Sequence, residues 1–151
     1  MVYSAFISTF ALMNNKLFLS LLLTICGVAL HADNPWKLRL ENNADKVLLH
    51  IDLYEESVDV PGMEFLGPMN GYLGGKGVYG VWMVTSFEIV DEKNATIRVS
   101  NDLGSETQQI KLTCTNDSTY QMELQNGVVV KKAVNRKLVK IPSKFEMKVK
   151  P

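Results

Sequence analysis

The stretch KFEMKVK, Lys144 to Lys150, alternates without a break, with Phe145, Met147 and Val149 on one side and Lys144, Glu146, Lys148 and Lys150 on the other. Successive side chains of a β-strand point to opposite faces, so the run predicts a strand with one apolar and one wet face. The same period of two recurs along the chain. WKLRL sets Trp36, Leu38 and Leu40 against Lys37 and Arg39; LLHIDLY sets Leu49, Ile51 and Leu53 against Leu48, His50, Asp52 and Tyr54. ATIRVS, QQIKLTC and YQMEL carry it on through Ile97, Val99, Ile110, Leu112, Cys114, Tyr120, Met122 and Leu124. One wet face per strand is the antiparallel signature, because parallel sheets are covered on both sides.

The connectors agree. Asn126-Gly127, between YQMEL and VVVKK, is a strong hairpin signal, since a type I′ turn needs positive φ at both central residues. Glu92-Lys93-Asn94 and NDLGS (101–105) read as tight turns. Pro142 separates KLVKI from KFEMK, because a central strand cannot lose an N–H there. The mature chain shows no helical period of useful length and no internal repeat. The fold class predicted is all-β: an antiparallel up-and-down meander of about 8–9 strands closed into a barrel, with a two-sheet sandwich as the alternative.

Upstream lies MNNKLFLSLLLTICGVALHADNPW, Met13 to Trp36. Lys16 precedes an apolar run from Leu17 to Leu30, shorter than the roughly 18–20 residues a spanning helix needs. A positive start, a short apolar core and small residues before a polar turn form the secretory pattern. Residues 1–32 are therefore expected to be a signal peptide, cut after Ala32 in preference to Ala29. The segment MVYSAFISTFAL has no charge, which points to Met13 as the true start. A lipoprotein anchored at Cys26 is the alternative, although Ile25 replaces the small residue expected before such a cysteine. The expected product, residues 33–151, is one exported domain, periplasmic or extracellular, with no stable membrane anchor.

That domain is long enough to bury a core without metal or disulfide. Its one cysteine, Cys114, shares the parity of Ile110 and Leu112 and is expected to be buried. Charge is unevenly spread: residues 33–64 hold eight acids and three bases, and residues 127–151 hold eight bases and one acid. Such ends can face one another as opposite-charge cross-strand pairs. The acidic second strand and the basic last strand are accordingly expected to close the barrel. A nucleic-acid surface would interleave aromatics with the bases, and 127–151 contains only Phe145.

Seven of the ten glycines fall in PGMEFLGPMNGYLGGKGVYG, Pro61 to Gly80, among Met63, Phe65, Met69, Tyr72, Leu73 and Tyr79. A long irregular segment in a small domain is commonly functional or disordered, and disorder is poor in such side chains. The 62–80 stretch is therefore read as a mobile Gly-rich loop, a lid for an apolar ligand or a crossover that plugs the barrel. Gly75-Lys76-Gly77-Val78-Tyr79-Gly80 matches GxGxxG literally, but strand-like VWMVTSFEIV follows where a helix N-terminus is required.

Gly80-Val81-Trp82 resembles the Gly-x-Trp of lipocalin-type barrels, where the tryptophan closes the barrel floor and stacks beneath an arginine from the last strands. By position, Arg136 is the implied partner. The family carries this motif on its first strand, whereas here about 48 mature residues precede it. The chain more closely resembles small secreted bacterial calycin-like domains with an early tryptophan and a DxPG-type loop. Trp36 and Asp59-Val60-Pro61-Gly62 fill those places, and the pattern covers most of residues 36–151.

No catalytic constellation emerges. Asp52, Glu55, Glu56, Asp59 and Glu64 cluster in sequence, but nothing sets a pair on opposite sides of a scissile bond, and they read as a solvated acidic edge. Calcium-loop spacing is absent, and a lone His50, placed by parity on the wet face beside Asp52, cannot build a histidine metal site. No cofactor and no metal is expected, and the protein is read as a non-enzyme. The leading expectation is an exported protein binding a small apolar or amphipathic ligand. Trp36, Leu49, Ile51, Trp82 and Tyr120 would line its pocket, and Met63, Phe65, Met69 and Tyr72 its lid. The alternative is a protein-interaction module with a filled core, and an unrecognised hydrolase around the Asp52–Asp59 acids comes third.

Overall fold

The computed structural model describes Asn34–Pro151; the expected signal peptide at 1–32, with Met13 and Cys26, lies outside the described residues. Ten strands follow: β1 (Lys37–Asn42), β2 (Val47–Asp52), β3 (Gly71–Gly74), β4 (Trp82–Ile89), β5 (Asn94–Asn101), β6 (Thr107–Asn116), β7 (Thr119–Gln125), β8 (Lys131–Val134), β9 (Lys137–Lys140) and β10 (Lys144–Val149). Eight close into an antiparallel barrel in which β1 to β7 run in sequence and β10 fills the gap between β7 and β1. This is the calycin-like up-and-down barrel, one closed sheet in place of the two-sheet alternative. Among the described residues β8 and β9 pair only with each other, as a hairpin outside the ring.

The alternation explains the closure. Inward positions of the barrel strands form one continuous cluster that includes Leu40, Leu49, Ile51, Leu73, Ile97, Ile110, Met122 and Met147. Up-and-down order also sorts the connections. The β2–β3, β4–β5 and β6–β7 connections share one end with Trp36. The β1–β2, β3–β4 and β5–β6 turns share the other with the β7–β10 crossing. The structure ties each end together, Cys114 N–H donating to the Lys93 carbonyl at one and Gly77 N–H to the Lys46 carbonyl at the other.

Four expectations are corrected. Asn126 and Gly127 do adopt positive φ of 60° and 82°, but the chain that follows does not return along β7. It crosses the barrel end instead, burying Val130, and β10 takes the place beside β7. Gln108, 2 % exposed, satisfies the departure: its amide donates to the Gln109 and Gln125 carbonyls and accepts from Val129 N–H at 2.8 Å. The last strand closes against β1, not the acidic β2, with Glu41 opposite Lys148 and bonded to Lys150 at 2.7 Å. Val149 lies at this seam exposed, not inside.

Nor is 62–80 a single loop. Its middle is β3, four consecutive buried residues between β2 and β4. The glycines serve close approach: a Cβ at Gly71 would overlap the His50 carbonyl, and one at Gly77 would overlap the Asp45 carbonyl. Gly77→Ala is therefore expected to cost about 2–3 kcal/mol, as overpacking does. Gly104→Ala, at φ +70° with nothing within 4 Å, meets backbone strain alone, about 1 kcal/mol. Urea denaturation of the two variants measures the difference; equal costs would mean that the glycines of 71–77 serve flexibility only.

Candidate functional site

The barrel interior comes first, because Trp36, Trp82 and Tyr120 were expected to line a pocket there. Trp36 donates its indole N–H to the Asp91 carbonyl at 3.0 Å and meets Tyr120 edge-on, ring centroids 5.8 Å apart. The Tyr120 hydroxyl reaches the Pro35 carbonyl at 3.4 Å, and burial, helped by Cys114, pushes its pKa up to about 12. At the other end Trp82 donates to the Tyr79 carbonyl at 3.3 Å. Arg136 does not sit beneath it as the lipocalin resemblance implies; it is exposed in the β8–β9 turn at φ 64°. A side chain beside a void wide enough for water keeps accessible surface, yet Trp36, Leu49, Ile51, Ile97, Ile110 and Met122 have 0 %. Around these residues the barrel is filled by its own side chains, as a small barrel readily is.

The segment from Leu53 to Asn70, between β2 and β3, folds as a flap over the outer wall. Val58 and Val60 are buried against Tyr72, with Leu48, Met63, Met69, Val81 and Met83 half-buried around them. The lid residues thus divide: Met63, Met69 and Tyr72 pack outside the barrel, and Phe65, in a short 3-10 turn (Glu64–Leu66), is 80 % exposed. None of the four joins the cluster that holds Trp36, Trp82 and Tyr120.

One carboxylate fastens this flap. Asp52 Oδ1 accepts the Tyr54 and Glu55 backbone N–H groups at 3.1 Å each, and Oδ2 accepts the Ser57 hydroxyl at 2.7 Å and Lys37 Nζ at 3.0 Å. Its backbone holds the other end of the flap, the N–H bonding the Asn70 carbonyl at 2.8 Å. The solvated-edge reading is therefore corrected for Asp52, which is 1 % exposed. Parity does turn it away from the interior, but the flap covers that wall. Burial works against its charge, and the Ser57, Lys37, Tyr54 and Glu55 donors outweigh it, holding the pKa at about 2. His50 on the same wall is half-buried, edge-on to Tyr72 at 6.0 Å, and burial followed by the Arg39 charge lowers its pKa. Glu55, Glu56, Asp59 and Glu64 stay exposed, and the Glu64 carboxyl is lowered by backbone N–H donors. A general acid needs the opposite shift.

The third region is basic. An open groove of ≈ 510 Å³ on the outer wall is bordered by Glu41, Lys46, Leu48, Gly75, Lys76 and Lys150. Nearby, Lys132 Nζ meets Asp45 at 3.4 Å, and the Lys131 carbonyl accepts Tyr79 N–H, fixing the root of the β8–β9 hairpin. The rest of that hairpin is exposed on both strands. Sequence reading missed it. The usable signal was Asn135-Arg136, both at positive φ, inside a run from Val128 to Ser143 that has five bases and no acid.

Comparison of the chain with protein-family models, curated proteins and solved structures finds no match.

Asp52 makes the flap acid-sensitive. Its folded pKa of about 2 lies below the ordinary aspartate value, so its contribution is complete above about pH 4 and is lost as pH falls through 2. The linked stability is about 2 kcal/mol. Asp52→Asn should flatten the pH dependence of stability between about pH 4 and 2, and should expose the flap to proteolysis at neutral pH. A variant with the wild-type acid profile would show that the clasp does not govern this window.

Proposed function

We propose that this chain is an exported, non-catalytic protein-interaction module that works through its outer surface. The filled barrel interior carries the reading. A carrier that encloses its ligand needs an internal void, and the side chains at the barrel's centre leave none for water, let alone for a lipid-sized molecule. The barrel then serves as a rigid scaffold from which an acidic flap and a basic hairpin are displayed. Features that project from a closed sheet are where binding commonly resides.

A second reading has support from the flap. Met63, Met69, Val81 and Met83 are only half-buried between the flap and the wall, and methionine surfaces repack easily around apolar ligands. A small apolar or amphipathic ligand would then lie under the flap, with Tyr72 behind it, and not inside the barrel.

Native mass spectrometry of protein recovered from cells expressing the full chain separates these readings. The interaction-module reading expects no small-molecule adduct. A stoichiometric adduct that disappears on denaturation would overturn it, and loss of that adduct in Met69→Ser would place the ligand beneath the flap.

A further inference from the structure

We infer that the protein associates with a second copy of itself, the acidic flap of one copy against the basic β8–β9 hairpin of another. The inference rests on the interaction-module reading and names its partner. Between Leu53 and Pro68 the flap carries Glu55, Glu56, Asp59 and Glu64 and no base, all four exposed. Between Val128 and Ser143 the chain carries Lys131, Lys132, Arg136, Lys137 and Lys140 and no acid. Only Lys132 of these five has an ion-pair partner among the described residues, and it is Asp45, not a flap residue.

The two surfaces match in more than charge. Each presents uncovered apolar side chains: Phe65 and Leu66 at 80 % and 52 % exposure on the flap, Leu138 and Val139 at 50 % and 45 % on the hairpin. Large exposed side chains ringed by charge are what a protein contact buries. The hairpin is also incomplete as it stands. An isolated two-stranded sheet is marginal, and among the described residues both outer edges of this one lack a strand partner. Its register sets Lys131 directly opposite Lys140, a like-charge pair that weakens the sheet until an anionic group lies across it. The flap is the acidic, base-free surface that this chain itself provides.

Within one chain the two surfaces have separate roots. The flap is rooted at the end of the barrel that holds Asp52 and Gly71, and the hairpin at the end that holds Asp45 and Tyr79. No ion pair joins the two within one chain among the described residues.

Sedimentation velocity on protein recovered from cells expressing the full chain tests this with two charge-reversal variants. One carries Lys137→Glu and Lys140→Glu, the other Glu56→Lys and Asp59→Lys; all four positions are exposed. Lys140→Glu places an acid opposite Lys131, so the reversed hairpin keeps a favourable cross-strand pair. Wild-type association should weaken at least about tenfold between roughly 0.05 and 0.5 M salt, as screened surface charges do. Each variant alone should be monomeric, and an equimolar mixture should associate again, because the intact acidic flap of the hairpin variant then meets the intact basic hairpin of the flap variant. A wild type that stays monomeric at low salt overturns the inference, as does association that the hairpin reversal leaves unchanged. If self-association fails while no ligand adduct is found, the interaction-module reading stands with a different partner.

Discussion

Everything in this structure depends on the closing seam between β10 and β1. The other barrel strands meet through turns or longer ladders, such as the seven registered pairs from Asn94 to Ser100 between β5 and β6. The seam has two, Leu40 with Val149 and Glu41 with Lys148. It is reinforced from its flanks: Lys150 N–H bonds the Arg39 carbonyl and the Asn42 amide bonds the Glu146 carbonyl, each at 2.7 Å. Without this short join the sheet would present two free edges and an open apolar face. The seam is also where the chain's charge asymmetry does structural service, since Glu41 and Lys150 come from opposite ends of the sequence.

The fold was legible because the period of two states which side of a strand each residue occupies. Leu49, Ile51, Ile97, Ile110, Met122 and Met147 all lie where that parity puts them. Parity does not state whether the outside of a barrel is wet. Asp52, Leu48 and Tyr72 point outward by the same rule, and the flap makes that wall a second apolar cluster. Reading Asp52 as solvated followed from treating outward and exposed as one property. Two observations lay in the sequence but needed the fold to combine them: Val58 and Val60 are the only β-branched residues between Leu53 and Pro68, and Ser57 stands five residues beyond Asp52.

The candidate site was legible in parts only. Glycine density admits two physical causes, freedom of the backbone and lack of room for a Cβ. At Gly71 and Gly77 the second cause governs, because β2 and the β1–β2 turn pass too close for any side chain. Which cause applies depends on a neighbour distant in sequence, so no local reading could decide it. The same limit hid the hairpin. Asn126-Gly127 has the φ angles its sequence demands, but a turn fixes only the direction of two bonds, not which strand waits to be paired. β10 competes for the same edge of β7 and holds it with five registered pairs, including Phe145 opposite Met122 and Met147 opposite Tyr120. Met147 is fully buried in the core through this pairing, while Val130 is buried where the chain crosses the barrel end.

Exclusion from the ring is what gives the hairpin its character. At the barrel seam and beside it, bases are answered by neighbouring strands, as Glu123 answers Lys144 and Glu41 answers Lys150. Among the described residues β8 and β9 have only each other, and both are basic. Their charges are therefore not a solvated face of the core sheet but a surplus concentrated on one projection. The acidic surplus of the flap has a parallel origin: Asp52 is consumed by the clasp, and the four carboxylates beyond it have no ion pair among the described residues. A molecule of nearly zero net charge thus carries two patches of opposite sign, rooted at opposite ends of the barrel. Near-neutral overall charge leaves little long-range repulsion between copies, so the short-range attraction of unlike patches is the electrostatic term left to act.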